Sequence, residues 1–69
     1  MDGAQRAACR LRDMWEAAGQ EPVKSLEFSR SIGTEYANAA TMLGIAAHEG
    51  LVKNLGGSKG WIPILPEAN

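Results

Sequence analysis

Between Thr34 and Gly50 the chain sets Ala39, Ala40, Leu43, Ala46 and Ala47 at three- and four-residue spacing. Residues so spaced share one face only in an α-helix. Alanine also has the highest helix propensity. Thr34 is a candidate N-cap, Glu35 suits the positive helix end, and Gly50 suits the C-cap. A helix is therefore expected over about 35–49. Gly44 interrupts it at a cost of roughly 1 kcal/mol relative to alanine. A glycine there makes sense where something approaches the backbone closely, or is simply tolerated.

The flanking segments follow from the same reading. Ala4, Ala7, Ala8, Leu11, Met14, Trp15 and Ala18 form an apolar face, and Arg6, Arg10, Asp13 and Glu16 fall elsewhere on the wheel. With Asp2 as N-cap and Gly19 as C-cap, a first helix is expected over about 3–18. Its small alanines suit a closely packed neighbouring helix. Pro22 makes an uninterrupted helix through 20–24 unfavourable. Val23 is a candidate one- or two-residue bridge to a later strand. A second helix is expected over about 25–32, with Ser25 as cap, Phe28 and Ile32 on one face, and Leu26 joining the packing. Gly33 ends it.

The C-terminal part reads as a hairpin over about 51–64. Leu51 to Leu55 is one strand, Gly56-Gly57-Ser58 the turn, and Lys59 to Ile64 the return. Pro63 is expected to place the return strand at an edge or to end its pairing. The tail 65–69 is expected to fray. Trp15 is expected in the core; Trp61 either caps the core from the hairpin or is an exposed contact, and the core is favoured because so small a chain needs its aromatics buried.

At 69 residues the chain has room for one domain, 1–69. It is 45% hydrophobic and 22% charged, which favours a folded state over disorder. The net charge is −1, which does not point to a nucleic-acid partner, although the placement of charge matters more than its sum. Cys9 is the only cysteine, so no intrachain disulfide forms; it reads as a small core or boundary residue. His48 is the only histidine, and one Cys with one His cannot assemble a tetrahedral zinc set. Gly56-Gly57-Ser58-Lys59-Gly60 lacks the spacing of a phosphate loop. No enzyme activity, cofactor or metal is expected. There is no apolar run of membrane-spanning length and no leader pattern, so a cytoplasmic protein without a membrane partner is expected.

Phe28-Ser29-Arg30-Ser31-Ile32-Gly33 resembles the second helix and turn of a winged helix-turn-helix domain. The stretch Leu43 to Val52, closing on Glu49-Gly50-Leu51-Val52, resembles the end of its recognition helix and the start of its wing. Gly33 and Gly50 lie seventeen positions apart, the register such families keep. Leu43, Ala46 and Ala39 fall where the recognition helix buries its residues. The resemblance covers roughly Val23 to Ile64. Within the superfamily, Tyr36-Ala37-Asn38-Ala39-Ala40 followed by Gly50-Leu51-Val52 is similar to the C-terminal gamma domain of the FtsK DNA translocases. The resemblance implies a mainly α fold of three helices plus a C-terminal hairpin wing. It also implies double-stranded DNA as partner, with the third helix in the major groove and the wing on the adjacent backbone or minor groove. Free-standing domains of this size are typical of bacteria, phages and plasmids, with nucleoid association where they bind DNA. Other members bind proteins or RNA, so the fold alone does not decide the partner.

Asn38, Thr41, Ile45 and His48 recur at spacings of three, four and three, opposite the alanine face. This stripe would meet the groove. Asparagine pairs with adenine and threonine touches a thymine methyl, which favours an A·T-containing target. Ala37 and Gly44 flank the stripe and admit close approach. Tyr36 either donates to a phosphate or packs over the turn, and packing is favoured. The third helix carries no Lys or Arg, whereas phosphate neutralisation supplies much of protein–DNA affinity. Cations must come from Arg30, Lys24, Lys53 and Lys59, helped by Ser58 and the amides of Gly56 and Gly57. Glu35 opposes them. Without any ligand, the stripe is a polar helix face and the lysines simply discourage edge pairing. The leading expectation is a small sequence-recognising DNA-binding protein, a transcriptional regulator or DNA-processing accessory factor. A homodimer on paired half-sites would use helix one or Ile62 to Leu65. The alternative is a protein-interaction module that docks on a larger nucleic-acid-handling complex, favoured by exposed Ile45 and the acidic balance. RNA is a third possibility.

Overall fold

The computed structural model describes residues 3–56 and 58–64. Asp2, Gly57 and the tail 65–69, to which some expectations attach, lie outside the described residues. The elements are α1 (Gly3–Ala17), α2 (Ser25–Ile32), α3 (Tyr36–His48), β1 (Val52–Asn54) and β2 (Trp61–Pro63). The protein is mainly α-helical with one small antiparallel hairpin, a layout compatible with a winged helix.

All three helices stop in the same way. After α2, Gly33 takes φ 71° and donates to the Arg30 carbonyl, while Thr34 N–H donates to the Ser29 carbonyl. These paired bonds satisfy carbonyls that a helix end leaves open, and glycine has no Cβ to resist the left-handed turn. The same pair of bonds closes α1 on Trp15 and Glu16, and α3 on Ala46 and Ala47.

The helix starts depart from expectation. Lys24 and Glu35 hold the cap positions of α2 and α3, and neither makes a side-chain cap bond. Ser25 is already helical, and its hydroxyl accepts Trp61 Nε1–H at 2.8 Å instead of capping. Thr34 sits one residue before the α3 cap and receives only a long contact from Asn38 Nδ2 at 3.5 Å.

The core joins Ala4, Ala7 and Leu11 of α1 to Phe28 of α2 and to Ala39, Leu43 and Ala46 of α3. Val23, Val52 and Trp61 close it from the hairpin side. Phe28, Leu11, Leu43 and Val52 are the large side chains wholly removed from water. Each stabilises the fold by about 1.5–3 kcal/mol. Trp61 is buried as expected, and Trp15 packs half-buried against the core edge.

Several side chains lie elsewhere than expected. Leu26 is 47% exposed, because the inward face of α2 is made by Phe28, Ser29 and Ile32. Ser29 is buried and donates to the Leu26 carbonyl at 2.7 Å, which satisfies a hydroxyl that burial would otherwise penalise. Cys9 is exposed, since it falls outside the arc set by Ala4, Ala7 and Leu11. Ala18 lies past the end of α1 and is exposed. Arg10 reaches from α1 to the end of α2, donating from Nε to Ser31 Oγ at 3.0 Å.

The hairpin pairs Val52 with Pro63, Lys53 with Ile62 and Asn54 with Trp61. Backbone bonds from Ile64 to Leu51 and from Leu55 to Gly60 extend the ladder by one pair at each end. Pro63 therefore sits at a non-hydrogen-bonded position toward β1, and its missing N–H costs that ladder nothing. On its other edge β2 carries a one-residue bridge, in which Val23 and Trp61 exchange both backbone bonds at 2.8–2.9 Å. The bridge expected of Val23 is thus present. Gly60 makes it possible: at φ 105° a Cβ there would lie 2.9 Å from the Val23 carbonyl oxygen.

Candidate functional site

The buried face of α3 fixes where its other residues point. With Ala39, Leu43 and Ala46 inward, the 3.6-residue period turns Asn38, Thr41, Ile45 and His48 outward. All four are exposed, as are Ala37 and Gly44. Ile45 is half exposed and puts an apolar side chain in the middle of the stripe. Thr41 donates its hydroxyl to the Ala37 carbonyl at 2.9 Å. This bond leaves the oxygen free to accept.

The stripe has two unlike flanks. Going round α3, Ala37 and Gly44 come next on one side, followed by Ala40 and Tyr36. That flank faces the hairpin across a recess of about 370 Å³, bounded by Lys24, Leu26, Tyr36, Asn54, Ser58 and Trp61. On the other side Asn38 is followed by Met42, which borders a groove of about 330 Å³ between the helices. Arg6, Thr34, Phe28 and Ile32 also line that groove.

Tyr36 is 56% exposed beside the recess, which overturns the expectation that it packs over the turn. Its hydroxyl remains open to a ligand. Lys24 bends over the recess and donates from Nζ to the Ser58 carbonyl, so its charge lies at the hairpin loop. Ser58 and Lys59 are exposed on that loop.

The remaining candidates are more scattered. Strand alternation puts Asn54 on the recess side with Trp61, and Lys53 on the opposite side with Ile62. Lys53 therefore lies on the side of the hairpin away from the recess. Arg30 is exposed one turn along α2 from Leu26. Asn54 and Arg6 belong to the surface around α3 and were not among the expected residues. Alternation from buried Val52 points to Asn54. Nothing in the sequence points to Arg6, because helix packing alone brings it there.

Among the described residues, no group of three His, Cys, Asp or Glu side chains gathers to hold a metal, and no helix is long and apolar enough to cross a membrane. The chain matches no protein-family model, no curated protein and no solved structure, so its compatibility with a winged helix rests on its own residues and geometry.

Proposed function

We propose that this protein is a small winged-helix DNA-binding protein that reads duplex DNA with α3 in the major groove and its hairpin as a wing on the adjacent backbone. The observation that carries this reading is the exposed stripe Asn38-Thr41-Ile45-His48 beside a recess whose far wall holds Lys24 and the Ser58 loop. Asn38 offers the bidentate amide that suits adenine. Thr41 and Ile45 offer methyl groups that suit thymine. Small Ala37 and Gly44 let the backbone approach the base edges. Selection from a randomised duplex library at low salt, followed by mobility-shift titration, tests the reading. Enrichment of an A·T-containing site that N38A no longer prefers supports it. Folded protein that retains no duplex at low salt overturns it.

A second reading has its own observation. Leu26, Tyr36 and Ile45 are large apolar side chains about half exposed on the α2–α3 side, and α3 has no Lys or Arg. These suit a protein partner on a larger nucleic-acid-handling complex. A stoichiometric partner that survives nuclease treatment and is lost in I45D, with no duplex binding by the wild type, favours this reading instead. Self-association on paired half-sites is a further proposal, tested by the stoichiometry of the shifted complex. The groove of Ala8, Cys9, Leu51, Pro63 and Ile64 is the surface available for it.

A further inference from the structure

We infer that Arg6 of α1 contacts the second phosphate backbone, so that a duplex seated on α3 is held by cations from both flanks. The inference rests on the DNA-binding reading and adds a contact that the reading does not need.

An α-helix with its side chains is about 10–12 Å across, and the major groove is about 12 Å wide. A helix lying in that groove therefore runs between two walls of phosphate. The cations that meet those walls come from whatever protein surface flanks the helix. Here α3 has no Lys or Arg of its own, so both walls depend on its neighbours.

Lys24, Ser58 and Lys59 stand on the hairpin flank. On the opposite flank, among the described residues, the groove beside Met42 and Thr34 has one charged lining residue, Arg6. Arg6 is exposed and makes no hydrogen bond or ion pair within the described residues. The other two arginines of α1 are engaged: Arg10 holds Ser31, and Arg12 pairs with Glu16 at 3.4 Å. Among the described residues, the α1 guanidinium without a partner is thus the one beside α3. Guanidinium suits phosphate because it donates in a fixed, planar fork. Glu35 is exposed at the start of α3 and partly opposes the local field, so a single phosphate contact is expected here, not a patch.

The experiment uses the full chain and one duplex taken from the selection above. Binding is titrated against salt for wild type, R6Q, K24Q and R12Q. Each phosphate contact contributes close to one unit to the slope of log K against log salt. R6Q should flatten the slope by about 1 and weaken binding without changing the preferred sequence. R12Q, which lies at the groove of Cys9 and Leu51 and away from α3, should keep the wild-type slope when complexes of equal stoichiometry are compared. Ethylation interference on wild type should mark phosphates on both strands, and R6Q should lose those on one strand only. If R6Q keeps the wild-type slope while K24Q flattens it, or if interference marks one strand alone, the Arg6 contact is overturned and the DNA reading stands. If wild type binds no duplex, both are overturned. Circular dichroism of R6Q confirms that the change acts on binding, not folding.

Discussion

The helical side of this protein and its hairpin side are held by different kinds of contact. α1 and α3 meet through Ala4, Ala7 and Leu11 on one and Ala39, Leu43 and Ala46 on the other. That packing is continuous and periodic. The hairpin has strands of three residues; Val52 and Trp61 anchor it in the same core, and beyond that it is fastened by particular atoms: the Val23–Trp61 bridge, the Trp61–Ser25 bond and the Lys24–Ser58 bond. A repeated pattern spreads its stabilisation over many residues. A set of specific bonds fails one at a time. The two sides should therefore respond differently to substitution.

Phe28→Ala should have the largest effect. Phe28 is wholly buried where α2 meets the shared core, and its truncation should cost about 3–5 kcal/mol. A core this small rarely supplies more than about 3–5 kcal/mol in total. Far-UV circular dichroism at 25 °C should find F28A largely unfolded; a urea midpoint near wild type would break the assignment of Phe28 as keystone. Gly60→Ala should come next, at about 1–3 kcal/mol, from positive φ and a Cβ against the Val23 carbonyl. Amide exchange should quicken at Trp61 and Val23 while Leu43 stays protected. Equal quickening at all three would mean that the two sides are one cooperative unit, and the contrast fails.

Ser25→Ala removes the acceptor of Trp61 Nε1–H and should cost about 1–2 kcal/mol, in the lower range for a donor left without a partner. In a Trp15→Phe background, Trp61 emission should shift to the red. Gly44→Ala is the smallest change and has the opposite sign. A Cβ there meets nothing within 4 Å, so α3 should gain about 0.8–1 kcal/mol. Under the DNA reading the same methyl crowds the groove, and affinity in a mobility shift should fall as the urea midpoint rises. A rise in both would remove Gly44 from the interface.

The same contrast governs how much the sequence discloses. The three helices follow from apolar spacing, clearest around Leu11 and Leu43, and their ends from Gly19, Gly33 and Gly50, which all take positive φ. Val23 as a bridge and Trp61 as a core residue were also legible, one from an isolated β-branched residue after Pro22 and the other from the scarcity of aromatics. The failures lie where long-range contacts decide. Ser25 looks like a cap until Trp61, 36 residues away, takes its hydroxyl. Leu26 looks buried because an eight-residue helix contains too few turns to fix which of its apolar residues faces in. Tyr36 looks packed because nothing local says that no residue covers it. The stripe on α3 was legible, as the complement of the alanine face. Its two flanks were not, since Arg6 and Asn54 reach α3 only through tertiary packing.

The three residues Val23, Lys24 and Ser25 are consecutive, and each binds the hairpin by a different group: backbone, ammonium and hydroxyl. Their partners lie 34 or more residues along the chain. Closing so large a loop costs entropy before any of these bonds is made, whereas the helices form from near neighbours. We therefore expect an order of assembly, with the helices collapsing first and the hairpin docking last. Val23→Ala should then speed unfolding in stopped-flow urea jumps and leave the refolding rate nearly unchanged. A slowed refolding limb would place the hairpin in the nucleus instead. On the expected order, the part of the molecule that settles last on folding is also the one that can open without unmaking the rest.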